Sequence, residues 1–143
     1  GFGSRISLGT LDDVKAAIAA EPGGLLKLAE ARTWLIAYDG NGADSVYKGA
    51  VAGGLLASYW KCAHLGCTVP RCDASHWLEC PCHGSRYNKA GEYQFGPAPR
   101  GLDHFPVTIE GDKVVVDTAT RLPGPTRGTD TIHQAPAGPH CNG

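Results

Sequence analysis

Four cysteines and two histidines fall in two short segments of the sequence, which read CAHLGC and CPCHGS. Each segment offers thiolate and imidazole side chains from a single tight stretch of chain, and both groups are ligands of transition metals. The spacing therefore indicates a metal site built from two loops. The six residues are Cys62, His64, Cys67, Cys80, Cys82 and His83.

The way the donors are mixed bears on which metal they would bind. A structural zinc site usually takes two thiolates from one loop and two imidazoles from the other. Here Cys62 stands with His64 and Cys80 with His83, so each loop is mixed. Mixed loops suit a binuclear [2Fe–2S] centre with two cysteines on one iron and two histidines on the other. A zinc-binding structural module stays open as an alternative, which iron and acid-labile sulfide analysis would test.

Length and composition set the frame for this site. The 143 residues are enough for one domain, and the net charge of -1 gives no reason to expect a nucleic acid or an anionic membrane surface as partner. The chain has no methionine and begins at Gly1, so we expect it to be a piece of a longer product. Its longest nearly apolar stretch, residues 49–60, is shorter than the roughly 20 residues of a membrane helix. Any membrane anchor should therefore lie upstream.

The elements that would position the loops are mostly strands. The sequence TLDD at residues 10–13 resembles a capping box and predicts one short helix to about Ala20, before a Pro-Gly-Gly stop. After it, short alternating or apolar runs between glycines and prolines predict antiparallel strands in a sandwich or small barrel. Residues 121–143 are rich in proline and glycine, which is typical of a disordered tail unless something fixes it. The predicted strands span residues 33–39, 55–61, 76–80, 92–95, 104–110 and 113–117, the last two joined as a hairpin.

The two loop sequences resemble a known family. CAHLGC and CPCHGSRYN are similar to the cluster-binding loops of the Rieske iron–sulfur protein of quinol-oxidising cytochrome bc-type complexes, and GPAP at 96–99 is similar to the proline loop that covers that cluster. The specific match spans about residues 58–100. The resemblance implies one all-β Rieske domain over residues 1–143: an antiparallel β sandwich with one short N-terminal helix, a cluster-binding subdomain inserted at about 60–100, and the tail 121–143.

Carried over by position, the resemblance implies the ligand set of a Rieske-type [2Fe–2S] cluster. Cys62 and Cys80 would bind the inner iron, and His64 and His83 the outer, exposed iron. Cys67 and Cys82 would form a disulfide between the two loops. Soluble Rieske ferredoxins lack that bridge, so it favours the respiratory or photosynthetic branch of the family.

The resemblance also implies roles for three side chains around the cluster. Ser85 and Tyr87 match the positions whose hydroxyls donate to a bridging sulfide and to a ligand cysteine, which predicts a potential at the high end of the Rieske range. His83 would hydrogen-bond the quinol hydroxyl. Because oxidised iron acidifies a bound imidazole, the cluster would take a proton with its electron, and its potential would depend on pH in the alkaline range.

Four further positions are assigned to docking and to the lid. Leu65, beside Gly66, would lie at the docking tip, since an exposed apolar side chain usually marks a contact surface. Pro97 and Pro99 would stiffen the lid and limit water at the cluster.

Two cysteines belong to no part of the motif. Cys72 and Cys141 remain once the ligands and the loop disulfide are assigned, and we predict a second disulfide that staples the tail near the cluster hairpin. The alternative is two unrelated thiols, which intact mass before and after reduction would distinguish.

The resemblance implies an electron-transfer subunit that is not catalytic alone. It would take one electron, with a proton, from quinol beside a cytochrome b-type subunit, and pass the electron to a c-type cytochrome or similar carrier. It would work on the extracytoplasmic (periplasmic or lumenal) side of an energy-transducing membrane, anchored by an N-terminal helix absent from this chain. The alternative is a Rieske ferredoxin or the small subunit of another oxidoreductase, such as the arsenite oxidase type.

Overall fold

The computed structural model describes residues 1–40 and 46–143, and in these residues the chain forms ten β-strands and one α-helix. Every strand pairing found there is antiparallel. The predicted all-β antiparallel class with one short N-terminal helix is confirmed. The elements in chain order are β1 (Arg5–Thr10), α1 (Leu11–Ala20), β2 (Leu26–Leu28), β3 (Thr33–Ala37), β4 (Leu55–Tyr59), β5 (Leu78–Glu79), β6 (Arg86–Tyr87), β7 (Tyr93–Phe95), β8 (His104–Phe105), β9 (Val107–Glu110) and β10 (Lys113–Asp117).

The chain divides into two compact units. The first contains Gly1–Tyr59 and His104–Leu122, and the second contains Trp60–Asp103 and Pro123–Gly143. The first unit carries two sheets, of strand order β1-β10-β9 and β2-β3-β4-β8, and the second carries the sheet β5-β6-β7. All six cysteines therefore lie in the second unit, together with most of the proline- and glycine-rich tail.

The helix begins and ends where its sequence indicates. Thr10 is the N-cap, and its Oγ1 accepts a hydrogen bond of 3.2 Å from the backbone N–H of Asp13. Val14 and Ile18 are buried on one face of the helix, and this face packs against the rest of the first unit. Glu21 is already extended, as expected for a residue that precedes a proline.

Pro106 divides a segment that the sequence predicts as one strand over 104–110. A proline has no backbone N–H and cannot continue a hydrogen-bonded ladder. The structure accordingly has two strands there, with β8 paired to β4 and β9 paired to β10 in the other sheet of the same unit. The single long strand was therefore a wrong prediction, whereas the β9–β10 hairpin across Gly111, which has a φ of 64°, is present.

The second unit has very short strands. Only Leu78–Glu79 of the predicted 76–80 segment forms β5, because His76 has a left-handed φ of 61°. The strands β1, β2 and β6 were not predicted at all. In the part of the chain that the structure describes, no helix has the length and apolar character needed to cross a membrane.

Candidate functional site

The first loop of the site is a closed turn that begins at Cys62. The Cys62 N–H donates to the Cys67 carbonyl over 2.7 Å, and the Gly66 N–H donates back to the Cys62 carbonyl over 3.0 Å. Gly66 has a φ of 77°, a left-handed conformation that favours glycine. Below the turn, Val69 donates to the Trp60 carbonyl over 2.7 Å. The backbone thus fixes the direction of every side chain in this loop.

The second loop connects β5 to β6 and carries Cys82 and His83. Its base is closed by the Cys80 N–H, which donates to the Ser85 carbonyl over 2.9 Å. Gly84, with a φ of 84°, provides the reversal inside the loop. Cys82 and His83 are exposed, whereas Cys80 is buried.

A disulfide joins the two loops. Cys67 and Cys82 are bonded, and their Cα atoms are 6.6 Å apart. The pairing implied by the family resemblance is therefore present in the structure. Since Cys72 and Cys141 form a second disulfide, Cys62 and Cys80 are the cysteines outside any disulfide, and both are buried.

The four candidate ligands are arranged as two pairs. The thiols of Cys62 and Cys80 face the interior, where they interact with each other. The imidazole rings of His64 and His83 lie farther out, with their centroids 5.0 Å apart and their planes nearly perpendicular at 88°. A buried sulfur pair beside an outer imidazole pair is the donor arrangement that a binuclear iron–sulfur centre with unlike irons requires.

Electrostatics also fit a bound metal cluster. Burial raises the pKa of the Cys80 thiol, and although the backbone N–H groups of Cys82 and His83 lower it in part, the adjacent Cys62 raises it further. Two buried sulfurs so close together are stable as thiolates only when positive charge lies beside them, which iron would supply. The Nδ1 atom of His64 is buried and finds no hydrogen-bond partner within residues 1–40 and 46–143. A buried ring nitrogen with no hydrogen-bond partner among these residues is available as a metal ligand.

Tyr87 contacts one of these thiols. Its Oη lies 3.1 Å from Cys62 Sγ and also accepts the Ala63 N–H over 3.3 Å. Burial raises the pKa of the Tyr87 phenol well above its usual value, and the neighbouring Cys62 raises it further. The hydroxyl therefore stays protonated and is able to donate a hydrogen bond to the Cys62 sulfur.

Ser85 is buried and is fixed by the segment predicted to form the lid. Its Oγ accepts the N–H of Ala98 over 3.0 Å, so its own hydroxyl hydrogen is available to another acceptor. Ala98 is buried, while Pro97 and Pro99 on either side of it are exposed. A side chain at Gly96 would place its Cβ 2.5 Å from the Ser85 Cα, so the lid approaches the loop as closely as it does only with glycine there.

The lid has an anchor that the sequence did not suggest. Arg127 lies in the tail, and its guanidinium donates to the Ala98 carbonyl from Nε over 2.9 Å and from Nη2 over 2.7 Å. Nη2 also reaches the Gly96 carbonyl over 3.2 Å. The tail therefore holds the lid by its backbone, a role that no local motif around Arg127 indicates.

The rim of the site exposes apolar surface. The Leu65 side chain is 66% exposed beside His64, and Gly66 next to it is also exposed. Phe95 is 56% exposed, and the Arg86 guanidinium lies 4.5 Å from the centroid of its ring. Leu65 thus lies on the surface, as its assignment to a docking tip requires.

The tail is ordered by contacts within the second unit. Cys72 and Cys141 form a disulfide with a Cα–Cα distance of 5.8 Å, so the second bridge predicted from the sequence is present. Along the tail, the N–H of Ala137 donates to the Ser75 carbonyl over 2.9 Å. The hydroxyl of Thr131 donates to the buried carboxylate of Glu92 over 2.6 Å. These bonds explain why a segment of disorder-prone composition has a fixed course.

A second buried carboxylate, that of Glu79, organises the end of the tail. It accepts hydrogen bonds from Ser75 Oγ at 2.6 Å, His140 Nδ1 at 2.9 Å and the Cys141 N–H at 2.7 Å. Burial raises the pKa of Glu79, but these hydrogen bonds, together with one from the Asn142 N–H, outweigh it and hold the pKa below its usual value. The sequence analysis missed this residue because its tail partners lie far along the chain.

The two disulfides should contribute unequally to stability. Their cysteines are separated by 15 residues for Cys67–Cys82 and by 69 for Cys72–Cys141. From loop-closure entropy, replacing both cysteines of a pair with alanine should lower the free energy of unfolding by about 3 kcal/mol for the shorter loop and roughly 4 kcal/mol for the longer one. Chemical denaturation followed by circular dichroism measures both. A larger loss for the shorter loop would contradict this order.

Comparison with known proteins agrees with the geometry. The model of the Rieske [2Fe-2S] domain family matches residues 34–106, about half of the chain. The chain is 42% identical over 67 residues to the cytochrome b6-f complex iron-sulfur subunit of Chlorobaculum thiosulfatiphilum, which is 47% of this chain and 37% of that protein. It is 47% identical over 53 residues to the subunit of the same name from Synechococcus sp. (strain JA-3-3Ab), which is 37% of this chain and 31% of that protein. The matches thus span about a third of these relatives' length.

Two solved structures share the fold. The cyanobacterial plasma membrane Rieske protein PetC3 from Synechocystis PCC 6803 superposes with a TM-score of 0.51 at 26% identity, over 78% of this chain and 98% of that one. The soluble domain of the Rieske protein II from Sulfolobus acidocaldarius has a TM-score of 0.53 at 19% identity, over 93% of this chain and 84% of that one. With the matching family model and a donor set that fits its cofactor, the chain belongs to the Rieske [2Fe-2S] domain family and has a Rieske-type [2Fe–2S] cluster as its cofactor.

Proposed function

We propose that the protein is the electron-transfer subunit of a quinol-oxidising complex of cytochrome bc type. It takes one electron, with a proton, from quinol and passes the electron to a c-type cytochrome or a similar carrier. The observation that carries this proposal is the pair of disulfide-linked loops, which bury two thiols and present two imidazoles beside the exposed Leu65. The names of the cytochrome b6-f relatives support it.

The residues of the two loops divide the work of holding the cofactor. Cys62 and Cys80 would bind the inner iron from the buried side, and His64 and His83 would bind the outer iron. When bound, a cluster of this kind supplies a one-electron acceptor with a potential in the range of about -150 to +300 mV. The hydroxyls of Tyr87 and Ser85 would donate to its sulfur atoms and stabilise the added negative charge.

His83 is the side chain best placed to meet the substrate. It is exposed, whereas His64 is half-buried, so its ring can hydrogen-bond a quinol hydroxyl from outside. The exposed Leu65, Pro97 and Pro99 form an apolar rim that suits an apolar quinone ring and the surface of a membrane-embedded subunit. The buried Ala98 and its Arg127 anchor keep the lid closed over the loops.

The partners and the location follow from the same proposal. The exposed imidazole tip would dock on a cytochrome b-type subunit, and an N-terminal helix outside this chain would anchor the protein in the membrane. Two disulfides in the second unit are typical of a protein that works outside a reducing cytosol. The proposed site of action is therefore the periplasmic or lumenal face of an energy-transducing membrane.

A charge at the docking tip should block quinol oxidation. In membranes that contain the full-length protein, Leu65→Glu should slow quinol-dependent cytochrome c reduction on the order of tenfold or more, because an unpaired carboxylate would be buried in an apolar contact. The midpoint potential should not change, since Leu65 binds no iron.

Ile109→Glu is the matched control, because Ile109 is an exposed apolar residue of the first unit. Equal rates in the wild type and Leu65→Glu, or equal losses in both variants, would contradict the docking assignment. If the full-length protein purifies without a cytochrome b-type subunit and instead reduces an oxygenase, it is a Rieske ferredoxin.

A further inference from the structure

The end of the tail reaches the base of the second cluster loop. The side-chain Nδ2 of Asn142 donates to the Cys80 carbonyl over 2.9 Å and to the Ser85 carbonyl over 3.3 Å. Its Oδ1 accepts the Nε–H of Arg86 over 2.8 Å. One carboxamide thus contacts both ends of the loop that carries Cys82 and His83, and the first residue of the strand that follows.

The backbone at this base forms only short elements. The strands on either side of it, β5 and β6, have two residues each and lie in a three-stranded sheet with the three-residue strand β7. The Cys80 N–H to Ser85 carbonyl bond closes the loop from inside. Asn142 adds the contacts from outside, so the relative position of Cys80 and Ser85 depends on the tail.

Asn142 is itself held in place by two independent attachments. The backbone N–H groups of Cys141 and Asn142 donate to the buried Glu79 carboxylate over 2.7 Å and 3.2 Å. The disulfide to Cys72 fixes the preceding residue to the hairpin that leads into β5. The carboxamide is therefore preorganised and does not have to be ordered by the loop that it contacts.

We infer that Asn142 is a positioning residue for the cluster. It holds Cys80, the proposed inner-iron ligand, and Ser85, the proposed hydroxyl donor, at a fixed separation, and in this way it raises the midpoint potential without contacting a ligand sulfur. Outer contacts that orient metal ligands commonly tune a site in this manner. The inference rests on the ligand assignment made for the proposed function.

The test uses Asn142→Ala and Asn142→Leu in the cluster-containing protein. Leucine has nearly the shape of asparagine but donates no hydrogen bond, so it separates the carboxamide bonds from packing. In both variants we expect amide hydrogen exchange in residues 79–86 to accelerate on the order of tenfold, because the loop opens more easily. The midpoint potential should fall, and the electron paramagnetic resonance signal of the reduced cluster should shift.

Thr126→Ala is the control, because it removes an exposed hydroxyl of the same tail that lies 3.4 Å from the hydroxyl of Thr129. It should leave the exchange rates and the potential unchanged. If Asn142→Leu has the potential and exchange rates of the wild type, the carboxamide does not position the loop and the inference is wrong.

Hydrogen exchange of the wild-type protein tests whether the tail holds the loop, even when a variant fails to fold. The amides of Cys141 and Asn142 should exchange as slowly as that of Cys80, because tail and loop open together. Much faster exchange in the tail would overturn the inference. None of these measurements needs quinol or a partner protein, so their outcome does not depend on the docking proposal. A wrong ligand assignment would be detected separately, because the wild-type spectrum would then lack a Rieske signal.

Discussion

A protein with serine in place of Cys80 should contain no iron–sulfur cluster. The thiol of Cys80 is buried beside Cys62 and accepts hydrogen bonds from the backbone N–H groups of Cys82 and His83, so this variant removes one of the two buried sulfurs. A serine hydroxyl is a much poorer ligand for an iron–sulfur cluster than a thiolate, because oxygen is a harder donor atom than sulfur and the hydroxyl is far less acidic than a thiol. Iron and acid-labile sulfide should fall to background, and the paramagnetic resonance signal of the reduced cluster should disappear.

The double variant Cys72→Ser/Cys141→Ser is the control for this loss. This variant also replaces cysteines of the second unit, but those of the tail disulfide and not the candidate ligands. It should keep its full iron and sulfide content while its free energy of unfolding falls. A Cys80→Ser protein with undiminished iron and sulfide would contradict the ligand assignment. Zinc in place of iron in the wild type would instead support the structural-module hypothesis.

The two cluster loops were identified from the sequence through the family resemblance, which rests on residues that lie close together in each loop. Gly66 and Gly84 provide turns of a few residues there, and turn geometry depends mainly on nearby sequence. The same holds for the Thr10 cap and for the β9–β10 hairpin. Each of these features is set by residues within one or two turns of chain.

In the second unit, β7 agrees with the predicted segment 92–95, whereas β5 is shorter than predicted and β6 was missed. β5 and β6 have two residues each, which is too short for an alternating pattern to be recognised, and β6 lies inside the cluster motif itself. They form because the loops and the tail hold them together. Apolar composition was informative for longer strands such as β3, β4 and β10, in which most residues are buried in a continuous run.

The contacts of the tail could not be predicted from the sequence for a different reason. Glu79 meets His140 and Asn142 across more than sixty residues, and Arg127 meets Ala98 across about thirty. No local pattern indicates which distant backbone groups a buried carboxylate or a guanidinium will satisfy. The exception is the Cys72–Cys141 pair, because the family resemblance assigned the other four cysteines and only these two remained to form a disulfide.

Removing the hydroxyls of Ser85 and Tyr87 should make the cluster harder to reduce. Tyr87→Phe deletes the donor 3.1 Å from Cys62 Sγ, and Ser85→Ala deletes a buried hydroxyl whose hydrogen is not used by the Ala98 contact. A hydrogen bond to a charged group contributes about 1.5–3 kcal/mol, and one elementary charge moved through 100 mV corresponds to about 2.3 kcal/mol. Each single variant should therefore lower the midpoint potential by about 65–130 mV in a redox titration followed by paramagnetic resonance.

The controls are substitutions of the same kind in the first unit. Tyr59→Phe removes the hydroxyl of a buried tyrosine, and Ser7→Ala removes that of an exposed serine. Neither residue belongs to the two loops, and neither variant should change the potential. Burial raises the pKa of the Tyr87 phenol further above neutral pH, so the hydroxyl keeps the hydrogen that it would donate to the sulfur. The double variant should show nearly the sum of the two shifts if the hydroxyls act on different sulfur atoms, and much less if they act on one. Unchanged potentials in both single variants would mean that these hydroxyls only pack the loops, and would contradict the predicted tuning of the potential by Ser85 and Tyr87.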